Sequence, residues 1–192
     1  AQVIIVLIGV PLGALAGYIG GRVDILLTRF IHVMYASPRL LFVILVMSML
    51  GAGLMNIFIA LGLTGWVGIA RQTRAQVLSI KEKEFVEGAR ALGAGFWRVM
   101  SRHVLPSALT PIVVSITFGI PAAIFTEAAL SFIGVGINPP TPSWGEMVGE
   151  NQQFLRSYWH LCVFPSIAIA VTMLSFTFFG DGVRDALDPK LK

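Results

Sequence analysis

Four long stretches without a charged side chain constrain the fold of this chain more than any other feature of its sequence. Each is long enough for at least one membrane-spanning helix, which needs about 20 apolar residues. The stretches are 1–21, 40–70, 104–126 and 157–180. Across all 192 residues, 56% are hydrophobic and 12% are charged, whereas soluble domains carry roughly 25% charged residues. The sequence therefore predicts an all-α integral membrane protein.

The second stretch decides the number of spans. Residues 40–70 are too many for one span and too few for two, and Gly51-Ala52-Gly53 inside them is typical of a turn. If the helix before this turn begins near Phe30, five spans fit, over about 2–19, 30–50, 54–71, 106–130 and 159–180. Arg39 then lies within the second span, where we expect it to face protein or water, and Pro38 is expected to kink the helix.

The distribution of basic residues predicts the orientation. Of the 14 Lys and Arg residues, 12 fall on the connections at one side of the five-span arrangement, and Arg156 alone falls on the other side. Because positively charged loops stay in the cytoplasm, we predict a cytoplasmic segment 72–105, a cytoplasmic C-terminus and an external loop 131–158. The same asymmetry accounts for the net charge of +4, so we expect membrane lipid and no nucleic acid around this chain.

The longest charged part of the chain is EFVEGARALGAGFWRVMSRHVLP, residues 84–106. We predict a helix over 84–98 within it. Apolar residues recur there at helical spacing and are expected to form one face, made of Phe85, Ala89, Leu92 and Phe96. Its many glycines and alanines would let a partner approach closely. From these residues alone two interpretations stay open: the helix docks into a groove of a partner protein, or it lies on the membrane surface.

Part of this segment matches a known signature. Glu87-Gly88-Ala89, then Gly93, then Leu105-Pro106 resembles the pattern E-A-A, three residues, G, nine residues, I-x-L-P of permease subunits of ABC importers. Gly88 replaces an Ala of that pattern, and His103 occupies the Ile position. Elsewhere, GALAGYIGGRVD, EAALSFIGVGINPPTPSWGEM and GDGVRDALDPKLK resemble the second permease subunit of dipeptide, oligopeptide and nickel importers. The similarity covers essentially the whole chain.

The resemblance implies a fold, a location and partners. It implies the type I permease fold of ABC importers, in the bacterial cytoplasmic (inner) membrane, with a further span ahead of Ala1 that is expected to be missing from this sequence. The implied partners are a second homologous permease, two ATPase subunits that bind ATP and Mg, and an extracytoplasmic solute-binding protein. The chain itself would bind no cofactor and catalyse no reaction, and its sequence contains no Walker A pattern for ATP.

The resemblance also assigns roles to individual residues. The segment 84–98 would be a coupling helix that sits in a groove of the ATPase, where Glu87 would pair with a basic residue or a helix N-terminus. Gly93 would permit a bend or close packing after the helix. The residues expected to couple to the ATPase or to close the motif are Glu84, Phe85, Glu87, Gly88, Ala89, Arg90, Leu92, Gly93, Ala94, Leu105 and Pro106.

Five further residues are candidates for contact with substrate or binding protein. Glu127, near the outer end of the fourth span, could meet a cationic substrate group or could be a structural carboxylate. Arg39 could meet a substrate carboxylate, although an ion pair with an acidic residue is the favoured interpretation. In the proline-rich external connection, Pro142, Trp144 and Glu146 are candidates for contact with the binding protein, and Trp144 could instead pack the loop down.

Two other classes of protein remain as alternatives. A self-contained channel or secondary transporter would move its substrate without an ATPase and would carry ionisable residues in several spans, where this sequence offers Arg39 and Glu127. A membrane enzyme would need clustered catalytic residues, which the sequence does not display. His160 and Cys162 are a weak metal cue, and we expect no bound metal. The sequence does not identify the substrate.

Overall fold

The structure of the chain, a computed structural model, describes residues 1–137 and 140–187, and the regular elements in this part of the chain are all helical. The all-α prediction is confirmed. Residues 138–139 of the predicted external loop and 188–192 of the C-terminal tail lie outside the described residues. The helices are α1 (Gln2–Ile19), α2 (Gly21–Ala36), α3 (Arg39–Leu50), α4 (Leu54–Ile80), α5 (Glu84–Ala91), α6 (Phe96–Val99), a π-helical turn (Met100–Val104), α7 (Leu105–Phe132), α8 (Trp144–Asn151), a 3-10 turn (Gln152–Phe154) and α9 (His160–Leu187).

Several helices have the length and composition of membrane spans. Among the described residues, four helical stretches qualify on their own: Gln2–Ile19, Leu54–Ile80, Phe96–Phe132 and His160–Leu187. Helices α2 and α3 qualify only as a broken pair, which gives up to five spans if the pair crosses the membrane once. The chain is therefore a multi-pass membrane protein by the length and composition of its helices.

The helix predicted over 30–50 is divided into α2 and α3, which corrects the expectation of a single kinked helix. Ser37 is extended, with φ −77° and ψ 136°, and Pro38 has φ −59° and ψ 112°. The residue before a proline is disfavoured in the α region, and proline has no N–H to donate. These two restrictions end α2 at Ala36 and start α3 at Arg39.

The chain divides into two compact units. The first unit contains Ala1–Gln2, Pro38–Thr64 and Thr117–Gly182. The second unit contains Val3–Ser37, Gly65–Ile116 and the chain from Val183 onward. The core of the first unit consists of buried apolar side chains of Val43, Met47, Ile57, Ala60, Leu61, Leu130 and Ile137.

The second unit has two apolar clusters. The larger is formed by Ala14, Val77, Ile80, Val86, Val99, Met100, Val104, Ala108 and Ile112, and the smaller by Ile31, Trp66, Val67 and Ala70. Both clusters include side chains from the part of α4 that belongs to this unit, residues 65–80.

Helix α1 lies very close to α4 within the second unit. Gly9, Gly13 and Gly17 are spaced four residues apart, so they share one face of α1. A Cβ atom built on Gly13 would lie 2.3 Å from the carbonyl oxygen of Ala70, and one on Gly9 or Gly17 would lie 2.8 Å from a carbonyl oxygen of α4. Small residues at this spacing allow two helix backbones to approach closely, as they do in membrane helix pairs.

Helix α4 continues to Ile80, beyond the predicted end of the span at residue 71. Polar side chains in this extension find partners in the second unit. Gln72 donates to the carbonyl of Pro111 over 2.9 Å and accepts from the Ser115 hydroxyl over 2.5 Å. The Arg74 guanidinium forms two bonds with the Asp24 carboxylate, of 2.5 and 2.7 Å. These bonds let the helix extend past the apolar stretch.

Candidate functional site

The segment predicted as a coupling helix is shorter than expected. Helix α5 ends at Ala91, and Gly93 follows with φ +80°, in the left-handed region. This corrects the helix predicted over 84–98. A residue with a side chain pays about 1–2 kcal/mol for this backbone conformation, so Gly93 produces the predicted bend. Among the described residues, a Cβ on Gly93 would meet no atom within 4 Å, so close packing within this chain does not require glycine there.

One side of α5 is held against the core of the second unit. Val86 is fully buried, and Ala89, Ala94 and Phe96 pack against the same apolar cluster. The predicted apolar face is divided, because Phe85 is 46% exposed. The spacing of four apolar residues predicted one face, but α5 ends at Ala91, before the third of them, Leu92. Val86 was not among the predicted residues, and its central position in a short EFVEGA run offered only a weak signal.

The other side of α5 is exposed. Glu84, Glu87 and Gly88 are exposed, and the Leu92 side chain just after the helix is 90% exposed. Within the described part of the chain, the Glu87 carboxylate makes no hydrogen bond or ion pair. Its charge is therefore available to another molecule.

Arg90 turns away from Glu87. Its guanidinium lies over the ring of Tyr18, 5.0 Å from the centroid, and its Nε donates to the Tyr18 hydroxyl over 3.3 Å. Tyr18 in turn makes an edge-to-face contact with Phe96, with ring centroids 5.0 Å apart. This stack ties both ends of the segment to α1, and a contact over this sequence separation carries no signal in the local sequence.

The segment is anchored where α4 ends and α7 begins. Before it, Lys81 donates to the carbonyl of Gly17 over 2.9 Å. After it, a π-helical turn over Met100–Val104 buries Met100 and Val104 and leads into α7 at Leu105. Pro106 follows this turn inside the continuous helical stretch Phe96–Phe132, and the π-helical turn lies where the missing N–H of proline interrupts the regular hydrogen-bond ladder. A movement of α5 would therefore be passed to both helices.

A second candidate site is a cavity of about 440 Å³ in the first unit. It brings together three predicted residues, Glu127, Pro142 and Trp144, although the prediction gave them two different roles. Its remaining wall is largely apolar, with Leu54, Phe58, Ile124 and Met147 among the lining residues. The Ser131 hydroxyl donates to Glu127 Oε1 over 2.8 Å and fixes the carboxylate in place. Such a cavity suits a ligand with one cationic group and apolar parts.

Glu146 is placed differently from its two predicted neighbours. It is 8% exposed and forms a capping box with Ser143: the Glu146 N–H donates to the Ser143 hydroxyl over 3.1 Å, and the Ser143 N–H donates to Glu146 Oε2 over 3.3 Å. The Ser-x-x-Glu spacing is the sequence signature of this motif, so α8 and its first residue could have been predicted from it.

Arg39 is the first residue of α3 and is exposed. Within residues 1–137 and 140–187 it makes no ion pair, so the structural pair that was favoured for it is not present there. A cation at a helix N-terminus is opposed by the helix dipole, which leaves its charge to be balanced by solvent or by another molecule.

The chain is similar to known transport proteins over nearly its whole length. A family model described as "Binding-protein-dependent transport system inner membrane component" matches residues 9–192. The chain is 46% identical, over its full length, to the Dipeptide transport system permease protein DppC of Bacillus subtilis (strain 168), of which the match covers 60%. It is 41% identical, over 97% of its length, to the Glutathione transport system permease protein GsiD of Pectobacterium atrosepticum, of which the match covers 62%. The chain thus spans about 60% of the length of these curated relatives.

Solved structures share the fold. A chain of the structure described as inward facing conformations of the MetNI methionine ABC transporter has a TM-score of 0.79 at 18% sequence identity, covering 97% of this chain and 89% of that one. A chain of an amino acid ABC transporter crystallised with histidines has a TM-score of 0.66, also at 18% identity, covering 96% and 88%. The chain has the helical fold of these transporter chains, as the resemblance predicted.

Proposed function

Because the chain belongs to the family of binding-protein-dependent transport system inner membrane components, we propose that it forms the translocation part of a permease subunit in an ATP-driven importer of peptides or related small solutes. The named substrates of its relatives, dipeptides and glutathione, support this substrate class. The proposed partners are a second homologous permease, two ATPase subunits with ATP and Mg, and a solute-binding protein. This chain is non-catalytic in that assembly.

The proposed orientation rests on charge. Twelve of the 14 basic residues lie on one side of the five-span arrangement, and positively charged loops stay in the cytoplasm. Segment 72–105 and the C-terminus are then cytoplasmic, and residues 131–158 face the outside of the inner membrane. The broken pair of α2 and α3 crosses as one span in this arrangement.

The observation that carries the proposal is the exposed side of α5. It presents the Glu87 carboxylate, which has no partner among the described residues, beside the small Gly88 and the apolar Leu92. This mixture suits a groove in a partner protein. Its other side is held by Val86 and by the contact of Arg90 with Tyr18. A push on α5 by the ATPase would then reach the parts of α1, α4 and α7 that belong to the second unit, and rigid-body switching transmits movement in this way.

The cavity around Glu127 is the proposed contact with the solute. A peptide carries an ammonium group and apolar side chains, and the cavity offers one carboxylate held by Ser131 among apolar walls. A charged hydrogen bond to Glu127 would orient the solute without selecting its side chains. Pro142 and Trp144, at the edge of the same cavity, are proposed to meet the binding protein that delivers the solute.

The decisive experiment replaces Glu87 by Ala in the full-length permease. The variant is co-expressed with the candidate ATPase and the second permease, and complex recovery and ATP hydrolysis are measured. Loss of one charge-assisted contact, worth about 1.5–3 kcal/mol, weakens ATPase binding about 10- to 100-fold, while folding is preserved because an exposed substitution changes stability by about 0.5 kcal/mol or less.

Glu82→Ala is the matched control. Glu82 is an exposed glutamate just before α5 and outside the signature, so its loss is expected to leave recovery and hydrolysis unchanged. Equal recovery and hydrolysis in wild type and Glu87→Ala would contradict the proposal and would favour the channel alternative.

A further inference from the structure

A second cavity in the first unit, of about 270 Å³, lies between the end of α7 and one side of α8. Among the described residues, Ile137 is the only one that lines both this cavity and the Glu127 cavity. The side chains that matter for its chemistry are Phe132, Ile133, Ile137, Glu146 and Glu150. Its walls are thus acidic on the α8 side and largely apolar on the α7 side, where the Ser131 hydroxyl is a polar group already bonded to Glu127 and to the Ile137 N–H.

The Glu146 carboxylate in this cavity is incompletely satisfied. The side chain is 8% exposed, and Oε2 is used by the capping box with Ser143. Oε1 is fully buried and has no hydrogen-bond partner within the described part of the chain. A buried acceptor without a partner is costly, and more so when it carries charge. The cavity beside it therefore favours a group that donates hydrogen bonds.

Two more features make the cavity electronegative. Glu150 follows Glu146 by four residues, so both carboxylates lie on the same side of α8, where like charges oppose each other. Helix α7 ends at Phe132, so the negative end of its dipole also lies at the cavity. Among residues 1–137 and 140–187, no basic side chain pairs with either glutamate.

Close backbone packing fixes the two helices that border the cavity. A Cβ on Gly145 would lie 2.3 Å from the carbonyl oxygen of Ala128, and one on Gly149 would lie 2.7 Å from that of Phe132. Helix α8 is therefore seated directly on the backbone of α7, and both helices are regular there. A binding site built on two fixed helices needs little ordering when a ligand enters.

We infer that this cavity binds the cationic head of a small amine or guanidine that has a short apolar stem. The head would donate to the exposed Glu150 carboxylate and, after a small rotation of the Glu146 side chain that opens its buried Oε1 to the cavity, to Glu146 as well, through charge-assisted hydrogen bonds. The stem would lie against Phe132, Ile133 and Ile137. A cavity of this volume with an apolar wall is larger than an inorganic cation needs, and it matches a head group that carries several carbons. This site borders the Glu127 cavity through Ile137 and through Ser131, which donates to Glu127, but its ligand binding requires no ATPase.

The probe is n-butylguanidinium chloride, added to the purified full-length permease in detergent. Binding is measured by calorimetry, and the thermal unfolding midpoint is followed in parallel, with sodium chloride at matched ionic strength and 1-butanol as reference solutes. Saturable binding and a higher midpoint with butylguanidinium, and neither effect with the two references, are expected. n-Butylammonium is expected to compete for the same site.

The decisive variant is Glu146→Gln, which removes the charge but keeps an oxygen for the capping box. Its affinity for butylguanidinium is expected to fall about ten- to hundredfold, with an unfolding midpoint near that of wild type in the absence of probe. Glu150→Gln, with its exposed side chain, is expected to lower the affinity less. Glu82→Gln, which removes the same charge outside this cavity, is expected to bind like wild type.

Three results would overturn the inference. Equal affinity in wild type and Glu146→Gln would mean that the probe binds elsewhere. An equal effect of 1-butanol would mean that only the apolar wall is recognised. Tight binding of calcium chloride that displaces butylguanidinium and is lost in Glu146→Gln would assign the site to a metal cation. All these measurements are made without the ATPase, so their results do not depend on whether the transport proposal is correct.

Discussion

Replacing Gly13 by Ala tests the close contact between α1 and α4. The added methyl group would lie 2.3 Å from the carbonyl oxygen of Ala70 and 2.9 Å from the Cβ of Thr73. Carbon and oxygen atoms of neighbouring helices normally approach to about 3.3–3.6 Å. The two helices would therefore have to separate by about 1 Å, and neither obstacle is the flexible end of a long side chain.

The magnitude follows from two opposing effects. Overpacking costs about 1–3 kcal/mol, and a contact with the backbone puts this substitution near the upper end. Alanine gains about 1 kcal/mol over glycine in helix propensity. The net loss is about 2 kcal/mol of unfolding free energy, which lowers the unfolding midpoint by about 4–8 °C for a domain of 150–250 residues.

The assay is thermal unfolding of the full-length permease in detergent, followed by circular dichroism at one fixed scan rate because such unfolding is often irreversible. Gly68→Ala is the matched control. Gly68 is a glycine inside α4 whose added Cβ would meet no atom within 4 Å, so the propensity gain acts alone and the midpoint is expected to rise by about 2–4 °C.

The direction in which Gly13→Ala shifts the unfolding midpoint tests the close approach of α1 to α4. If Gly13→Ala raised the midpoint as Gly68→Ala does, the close approach of α1 to α4 would be refuted. Gly9→Ala and Gly17→Ala, where the closest carbonyl oxygen lies at 2.8 Å, are expected to lower the midpoint less than Gly13→Ala. A different order would point to another axis of contact.

Two other predictions concern the second unit. Asp24→Asn is expected to lower the unfolding free energy by about 1–2 kcal/mol, because Arg74 loses a two-bond ion pair that is largely shielded from water. A double-mutant cycle with Arg74→Gln in thermal unfolding measures the coupling, and simple additivity would contradict it. Gly93→Ala is expected to destabilise the turn after α5 by about 1–2 kcal/mol, because Gly93 has a left-handed φ. Gly88→Ala is expected to be neutral or mildly stabilising, because Gly88 lies within α5 and its added Cβ would meet no described atom within 4 Å. Proteolysis of this segment under native conditions compares the two, and equal rates would refute the role of φ.

Helix positions were predicted best where one physical effect dominates. The first helix has its predicted bounds, 2–19, because an uncharged apolar run ends at a glycine pair. Helix α9 begins at His160, within a residue of its predicted start, because a long apolar run has few alternatives in a membrane. The helix predicted from 106 begins earlier, since the helical stretch that contains it starts at Phe96.

Other boundaries depended on contacts that periodicity does not contain. Helix α4 extends to Ile80 because Gln72 and Arg74 find partners far away in the sequence. Helix α5 ends at Ala91 although its apolar spacing continues, because Gly93 adopts a left-handed conformation.

Three properties could be predicted from residue order: that this chain is a helical membrane protein, which stretches are apolar enough to cross, and where the signature over 87–106 lies. They could be predicted because hydrophobicity and residue spacing are local properties. The folded chain was needed to show that Glu127 and Trp144 share a cavity and that Arg90 contacts Tyr18. It was also needed to show that, within residues 1–137 and 140–187, Glu87 has no side-chain partner and the buried Glu146 has one oxygen without a hydrogen bond. Those contacts depend on which helices pack together, and that packing joins segments that lie far apart in the sequence.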